Sequence, residues 1–125
     1  MEELNTLSVD HEITVGELLN EWNQCKEQLD SHFKNRDSKL AEPLMRRAIS
    51  LFEQFLFLSN SLSQETCSIK DCKIKPVNVE ERLDFILLRP KLFHSYKQLA
   101  ELFAEQEKQF AKQAVLNKTK SKRPE

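Results

Sequence analysis

Asn78-Val-Glu-Glu-Arg-Leu-Asp-Phe-Ile-Leu-Leu-Arg-Pro-Lys-Leu-Phe-His-Ser-Tyr-Lys-Gln98 is the stretch on which the reading of the fold turns. Asn78-Val-Glu-Glu81 has the form of a capping box, in which a side-chain oxygen and a carboxylate three residues later accept each other's free backbone N–H. Val79, Leu83, Ile86 and Leu87 then fall on one helical face, predicted to point inward. Pro90 ends that helix, because its ring collides with the carbonyl of Ile86 and drives Arg89 out of helical dihedrals. Ser95-Tyr-Lys-Gln98 reads as a second box. Tyr96, Leu99, Phe103, Phe110 and Ala114 make the stripe that follows, with Leu92, Phe93 and Leu102 beside it. Pro90 is therefore read as separating two helices rather than kinking one.

Upstream, Thr14-Val-Gly-Glu17 is another capping box. Leu18, Trp22, Cys25, Leu29 and Phe33 follow on one face, with Glu17, Glu21 and Glu27 off it. A polar stretch, Lys34-Asn-Arg-Asp-Ser-Lys39, connects to a second helix expected to start near Pro43, where a missing N–H is harmless in the first turn. Leu44, Met45, Ala48, Ile49, Leu51, Phe52, Phe55, Leu56, Phe57 and Leu58 surround that helix with apolar surface, which marks it as the central one. Such a helix suits a monomer core or a homodimer interface. Ser59-Asn-Ser61 ends it. Periodicity is lost between Ser61 and Val77, which form an excursion or hide a short helical turn. The expected fold is all-α: a compact antiparallel bundle of about four helices at 15–34, 43–60, 79–89 and 95–116. A flexible segment at 1–13 precedes the single domain at 14–116 with its loop at 61–77, and a basic disordered tail at 117–125 follows it.

Composition agrees with a packed helical domain. Among 125 residues, 39% are hydrophobic and 31% charged, with one Gly and four Pro, too few flexible positions for a sheet's tight turns. No apolar run approaches the ~20 residues that span a bilayer, and the N-terminus lacks the basic-then-apolar order of a signal peptide. Three cysteines make an odd set without a disulfide framework, so the expected compartment is the cytoplasm. Net charge is −1, yet residues 1–30 hold eight acidic side chains and one Lys, which gives −7 and leaves +6 for the remainder. Four of the positive charges fall in residues 117–125. No aromatic residue interleaves with them to stack on bases.

The sequence excludes several chemistries. With Gly16 alone, neither a phosphate-cradling loop nor a dinucleotide turn can be written. His11, His32 and His94 lack the Glu or His at helical spacing that metal motifs need. Cys67 and Cys72 stand at the loose edge of zinc-site spacing with no further ligands in view, and Cys25 lies on an apolar stripe. The carboxylate pairs Glu17/Glu21 and Glu101/Glu105 sit off the apolar faces, where no burial raises a pKa for acid–base work. No catalytic, cofactor-binding or metal residue is assigned, and no enzyme is expected. One polar cluster stands out at the Pro90 break: Arg82, Asp84, Arg89, Lys91, His94, Tyr96 and Lys97. In the structural account Arg82 and Arg89 pair with acidic residues or cap carbonyls freed by Pro90. In the functional one Arg82, Arg89, Lys91, His94 and Tyr96 form a partner or anion surface; a catalytic His94 with Tyr96 is a third possibility.

Glu81-Arg-Leu-Asp-Phe-Ile, Arg89-Pro90, Phe93-His-Ser-Tyr and Gln98-Leu-Ala-Glu-Leu-Phe resemble the C-terminal signature of the YpoC-like proteins of Bacillus-type bacteria. The resemblance covers Pro76 to about Lys112; the rest of the chain is similar only in helical character. It implies a bacterial cytoplasmic protein and supplies no activity or cofactor. The expected function is a non-enzymatic protein-interaction module with an unidentified protein partner. The alternative is a weak nucleic-acid or phosphate binder that uses Arg46, Arg47, the cations around Arg89 and the tail.

Overall fold

The computed structural model describes residues 13–122. Its helices are α1 (Val15–Lys34), α2 (Ser38–Ser59), α3 (Val79–Leu88) and α4 (Phe93–Lys122), with a 3-10 turn at Ile69–Asp71 inside the long loop. The expected all-α bundle is what forms. Trp22 meets Phe103 and Phe33 meets Tyr96, so α1 and α4 run antiparallel. Phe52 and Phe55 meet Phe103 and Phe110 in the same order, so α2 runs parallel to α4.

Local chemistry sets each boundary. At α1 the Thr14 box closes as read: Glu17 N donates to Thr14 Oγ1 at 3.0 Å and Thr14 N to Glu17 Oε1 at 3.1 Å. The helix ends in a tight reversal, with Arg36 N on Phe33 O at 3.0 Å and Asp37 N on His32 O at 2.8 Å. This is the Schellman pattern, and Arg36 takes the left-handed position at φ 58° where glycine is usual. Asp37 then caps α2 by accepting from Leu40 N at 3.2 Å. The expectation that α2 starts at Pro43 is corrected: the helix starts five residues earlier and Pro43 lies inside it. The carbonyl that Pro43 leaves without a donor belongs to exposed Lys39, where water can bond it.

Two further boxes do not form. Asn78 adopts the left-handed conformation at φ 57° and makes no side-chain cap, a conformation that Asn tolerates better than most residues. At the next start, Leu92 O accepts from Ser95 N and Tyr96 N, so α4 begins at Phe93 and Ser95 lies within its first turn. The buried Ser95 hydroxyl has no hydrogen-bond partner among the described residues. At its far end α4 continues to Lys122, past the expected limit of 116, because no Gly or Pro intervenes to stop it. The backbone at 117–122 is helical. Residues 1–12 and 123–125, where the other terminal expectations fall, lie outside the described residues.

The core is aromatic. Trp22 stacks on Phe103 with centroids 4.0 Å apart, and Phe52 meets the same ring edge-on at 5.3 Å. Leu18, Leu29, Met45, Leu51, Leu56, Ile86, Leu99 and Leu102 fill the surrounding volume. Leu51 and Phe57, on the second face of α2, are also buried within the single chain, so α2 is the central helix and needs no second copy to cover it. Cys25 is core, as read, and burial pushes its thiol pKa up. Ala114, placed on the inner stripe by periodicity, is exposed, as are Leu92 and Phe93 beside it.

The 61–77 loop is tied down rather than loose. Ser61 takes the left-handed position after α2, at φ 56°. Asn60 accepts from Lys73 N at 2.8 Å and Ile74 N at 2.9 Å, and donates to Leu56 O and Ile74 O. From α4, Gln106 donates to Ser59 Oγ at 2.7 Å and Ile74 O at 3.1 Å, and Gln109 to Lys75 O at 2.8 Å. Cys72 is buried and Cys67 packs against the core, so these thiols belong to the loop's apolar underside. Asn60→Ala is expected to destabilise the protein by roughly 2 kcal/mol by freeing two backbone donors. Arg36→Gly should stabilise it by about 1 kcal/mol by relieving the left-handed turn. Urea denaturation midpoints measure both.

Candidate functional site

The Pro90 break brings α3 back along α4, and the structure divides the polar cluster there into clamps and surface. Arg82 is a clamp. Its Nη1 and Nη2 pair with Glu105 Oε1 and Oε2 at 3.0 and 2.8 Å, a bidentate bridge from α3 to α4. Nη1 also donates to Val77 O at 3.0 Å, Nε reaches Gln98 Oε1 at 3.5 Å, and Glu101 lies 3.8 Å away. The Arg82 hydrogen bond holds the Glu105 carboxyl below its usual range, and Glu105 in turn raises the guanidinium. Most of its donors are thus engaged internally, as in the structural account of Arg82 pairing with acidic residues. Of the carboxylate pair Glu101/Glu105, Glu105 is the one held by this bridge, while Glu101 stays largely exposed.

Tyr96 is also a clamp. Its ring is buried and stacks on Phe33 with centroids 5.5 Å apart. Its hydroxyl hydrogen-bonds the Asp30 carboxylate on α1, with Lys26 O 3.3 Å away. Burial, then that bond, pushes the Tyr96 pKa well up. Tyr96 is thus buried within the bundle and engaged by α1.

Arg89, Lys91 and His94 are exposed. The Arg89 guanidinium lies 4.7 Å over the Phe85 ring, and His94 meets that ring edge-on at 5.5 Å. Arg89 makes no ion pair among the described residues. Behind the turn lies an open cleft of about 510 Å³, lined by Glu42 and Arg46 of α2 and by Leu88, Arg89, Pro90, Lys91 and Leu92. Arg46 donates to Glu42 at 2.8 Å and Lys91 approaches it at 4.0 Å. The Arg46 bond lowers the Glu42 pKa, so that carboxylate stays ionised.

The exposed apolar side chains at the turn were hidden from the sequence, and of these Leu88 and Leu92 line the cleft. Leu87, read as inward, is 43% exposed, Leu88 75%, Leu92 45% and Phe93 55%. The signal that could have found them is the α3 stripe itself. Val79, Leu83 and Ile86 lead on to Pro90, which is buried, and leave Leu87 and Leu88 off the face. The other expected cations are compensated: Arg46 pairs with Glu42, and Arg47 donates through Nε to Glu21 at 2.8 Å. No group of three or more His, Cys, Asp or Glu side chains among the described residues is arranged to hold a metal. No described helix is long and apolar enough to cross a membrane.

Comparison with known proteins places the chain in a family. The family model described as YpoC-like protein matches residues 12–118, so the chain belongs to the YpoC-like family. The likeness therefore runs through α1 and α2 as well as the C-terminal third. A curated relative, Uncharacterized protein YpoC of Bacillus subtilis (strain 168), is 31% identical over 102 residues. That alignment takes in 78% of this chain and 62% of the relative's length. No solved structure matches.

The clamps set distinct pH dependences. Glu105 has a folded pKa below its unfolded one, so its contribution is complete above the ordinary carboxylate range and is lost as pH falls through the folded value. Glu105→Gln should therefore lower the urea midpoint at neutral pH and converge with wild type in acid. Tyr96 has the opposite sense: a raised folded pKa gives stability that is complete below about pH 10 and drains away above it as the unfolded chain ionises. In Tyr96→Phe that alkaline loss should shrink, read from thermal melts across alkaline pH.

Proposed function

We propose that this member of the YpoC-like family is a non-enzymatic protein-interaction module that docks a partner at the cleft beside the α3–α4 turn. The carrying observation is the pair of exposed leucines that line the cleft, Leu88 and Leu92, with Leu87 and Phe93 exposed beside it on the same well-anchored turn. Single exposed leucines are ordinary on soluble proteins, whereas several gathered on one rigid feature and rimmed by charge suit a binding surface. The charges support the same reading. Arg82 with Glu105 and Arg46 with Glu42 are committed to pairs near the turn, which suits scaffolding better than proton transfer. Phosphate or nucleic-acid binding is the weaker alternative. Arg46, Arg47 and Arg82 each have carboxylate partners, and no aromatic side chain lines the cleft to stack a base. Three unpaired cysteines suit a reducing compartment, which we take to be the cytoplasm.

The Leu88→Ser/Leu92→Ser double variant tests the surface. Both side chains are exposed, so each change should alter stability by about 0.5 kcal/mol or less. Quantitative affinity capture with wild type and variant as baits should show specific partners depleted at least tenfold on the variant. Equal recovery by two equally stable baits would remove the cleft from the interaction.

A further inference from the structure

We infer that the cleft's occupant is an acidic amphipathic helix of a partner protein, an inference that rests on the docking reading above. The cleft is a two-part recognition surface. Leu88, Pro90 and Leu92 supply apolar atoms, while Arg46, Arg89 and Lys91 supply three positive charges against the single carboxylate of Glu42. Glu42 remains ionised and is already engaged by Arg46 and Lys91. The local excess is thus two positive charges, and Arg89 is the cation without an ion pair among the described residues. An incoming chain with apolar anchors and acidic flanks matches both parts.

The conformation of that chain follows from backbone hydrogen bonding. The cleft's walls are the first turns of α2 and the end of α3 with the following turn, and no described element offers a strand edge. A peptide cannot extend a sheet here, so its own backbone groups are best satisfied internally, as in a helix. A proline-rich extended ligand would need an aromatic-walled groove, and the lining here is aliphatic. An open volume of about 510 Å³ admits a few apolar side chains from one helix face. Anchors at i, i+4 and i+7, flanked by Glu or Asp, are the corresponding pattern.

The test uses the full chain and two synthetic helical peptides with leucines at i, i+4 and i+7, one flanked by glutamates and one by lysines. Fluorescence anisotropy should show the glutamate peptide binding at least tenfold tighter than the lysine peptide, and weakening several-fold with added salt. Arg89→Glu/Lys91→Glu should reverse that preference, and Leu88→Ser/Leu92→Ser should abolish binding of both. Absence of glutamate-peptide binding, or equal binding of the two, overturns the inference. So does displacement by single-stranded oligonucleotide, which would make the site a nucleic-acid surface. Loss of binding as protein concentration rises also overturns it, because a second copy of the chain would then fill the cleft. If the peptides fail while the Leu88/Leu92 variant still loses its cellular partners, the acidic-helix inference falls and the docking reading stands.

Discussion

The fold depends on one ring. Phe103 receives the face of Trp22 from α1 and the edge of Phe52 from α2, and Phe55 lies roughly parallel to it at 6.2 Å. Aromatic pairs at such separations add specific geometry to the large apolar area they remove from water. Because Phe103 sits near the middle of α4, these contacts fix the rotation of that helix, and the rest of its length follows. Gln106 and Gln109, one and two turns on, then face the loop that they hold. Tyr96, two turns back, faces Asp30 and Phe33. Glu105 is left on the side where α3 returns, and Arg82 meets it there.

That rotation explains why apolar side chains remain in water at the turn. Arg82 and the Leu83/Ile86 stripe determine which face of α3 is buried, and Pro90, one turn beyond Ile86, is buried as well. Leu87 and Leu88 fall on the outer side by helical geometry alone. After the break, α4 restarts with Tyr96 and Leu99 turned inward, which leaves Leu92 and Phe93 outside. The exposed patch is thus a consequence of a well-determined turn.

Legibility from sequence followed the range of the interaction. Helix α1 was readable to the residue because the Thr14 box and an unbroken stripe are local. The separation at Pro90 was readable for the same reason, since a missing N–H and a ring clash need no distant partner. Box-shaped sequences at Asn78 and Ser95 misled because the pattern records only residue types. Asn78 took a left-handed backbone, and Leu92 O started α4 ahead of Ser95. Asp37, within the polar connection, is the cap of α2, and Pro43 does not mark its start because a proline in a helix's second turn is tolerable where water reaches the freed carbonyl. In the candidate site the cluster's location was legible and its division was not. Arg82 and Glu105 are 23 residues apart and Tyr96 and Asp30 are 66 apart, so only packing could pair them. Glu42 and Arg46 enter the cleft from α2, far in sequence from Leu88 and Leu92, so only packing could bring them there.

The central claim is that the leucines at the α3–α4 turn are exposed on a preformed surface. Amide hydrogen exchange on the isolated full chain tests it directly, because backbone order can be read there independently of side-chain exposure. The account predicts slow exchange for the hydrogen-bonded amides of Leu83 to Arg89 and for Tyr96 to Phe103, within an order of magnitude of the α2 core. Rapid exchange through Ile86 to Tyr96, against a protected α2, would contradict it and show that the leucines are exposed because the turn is loose.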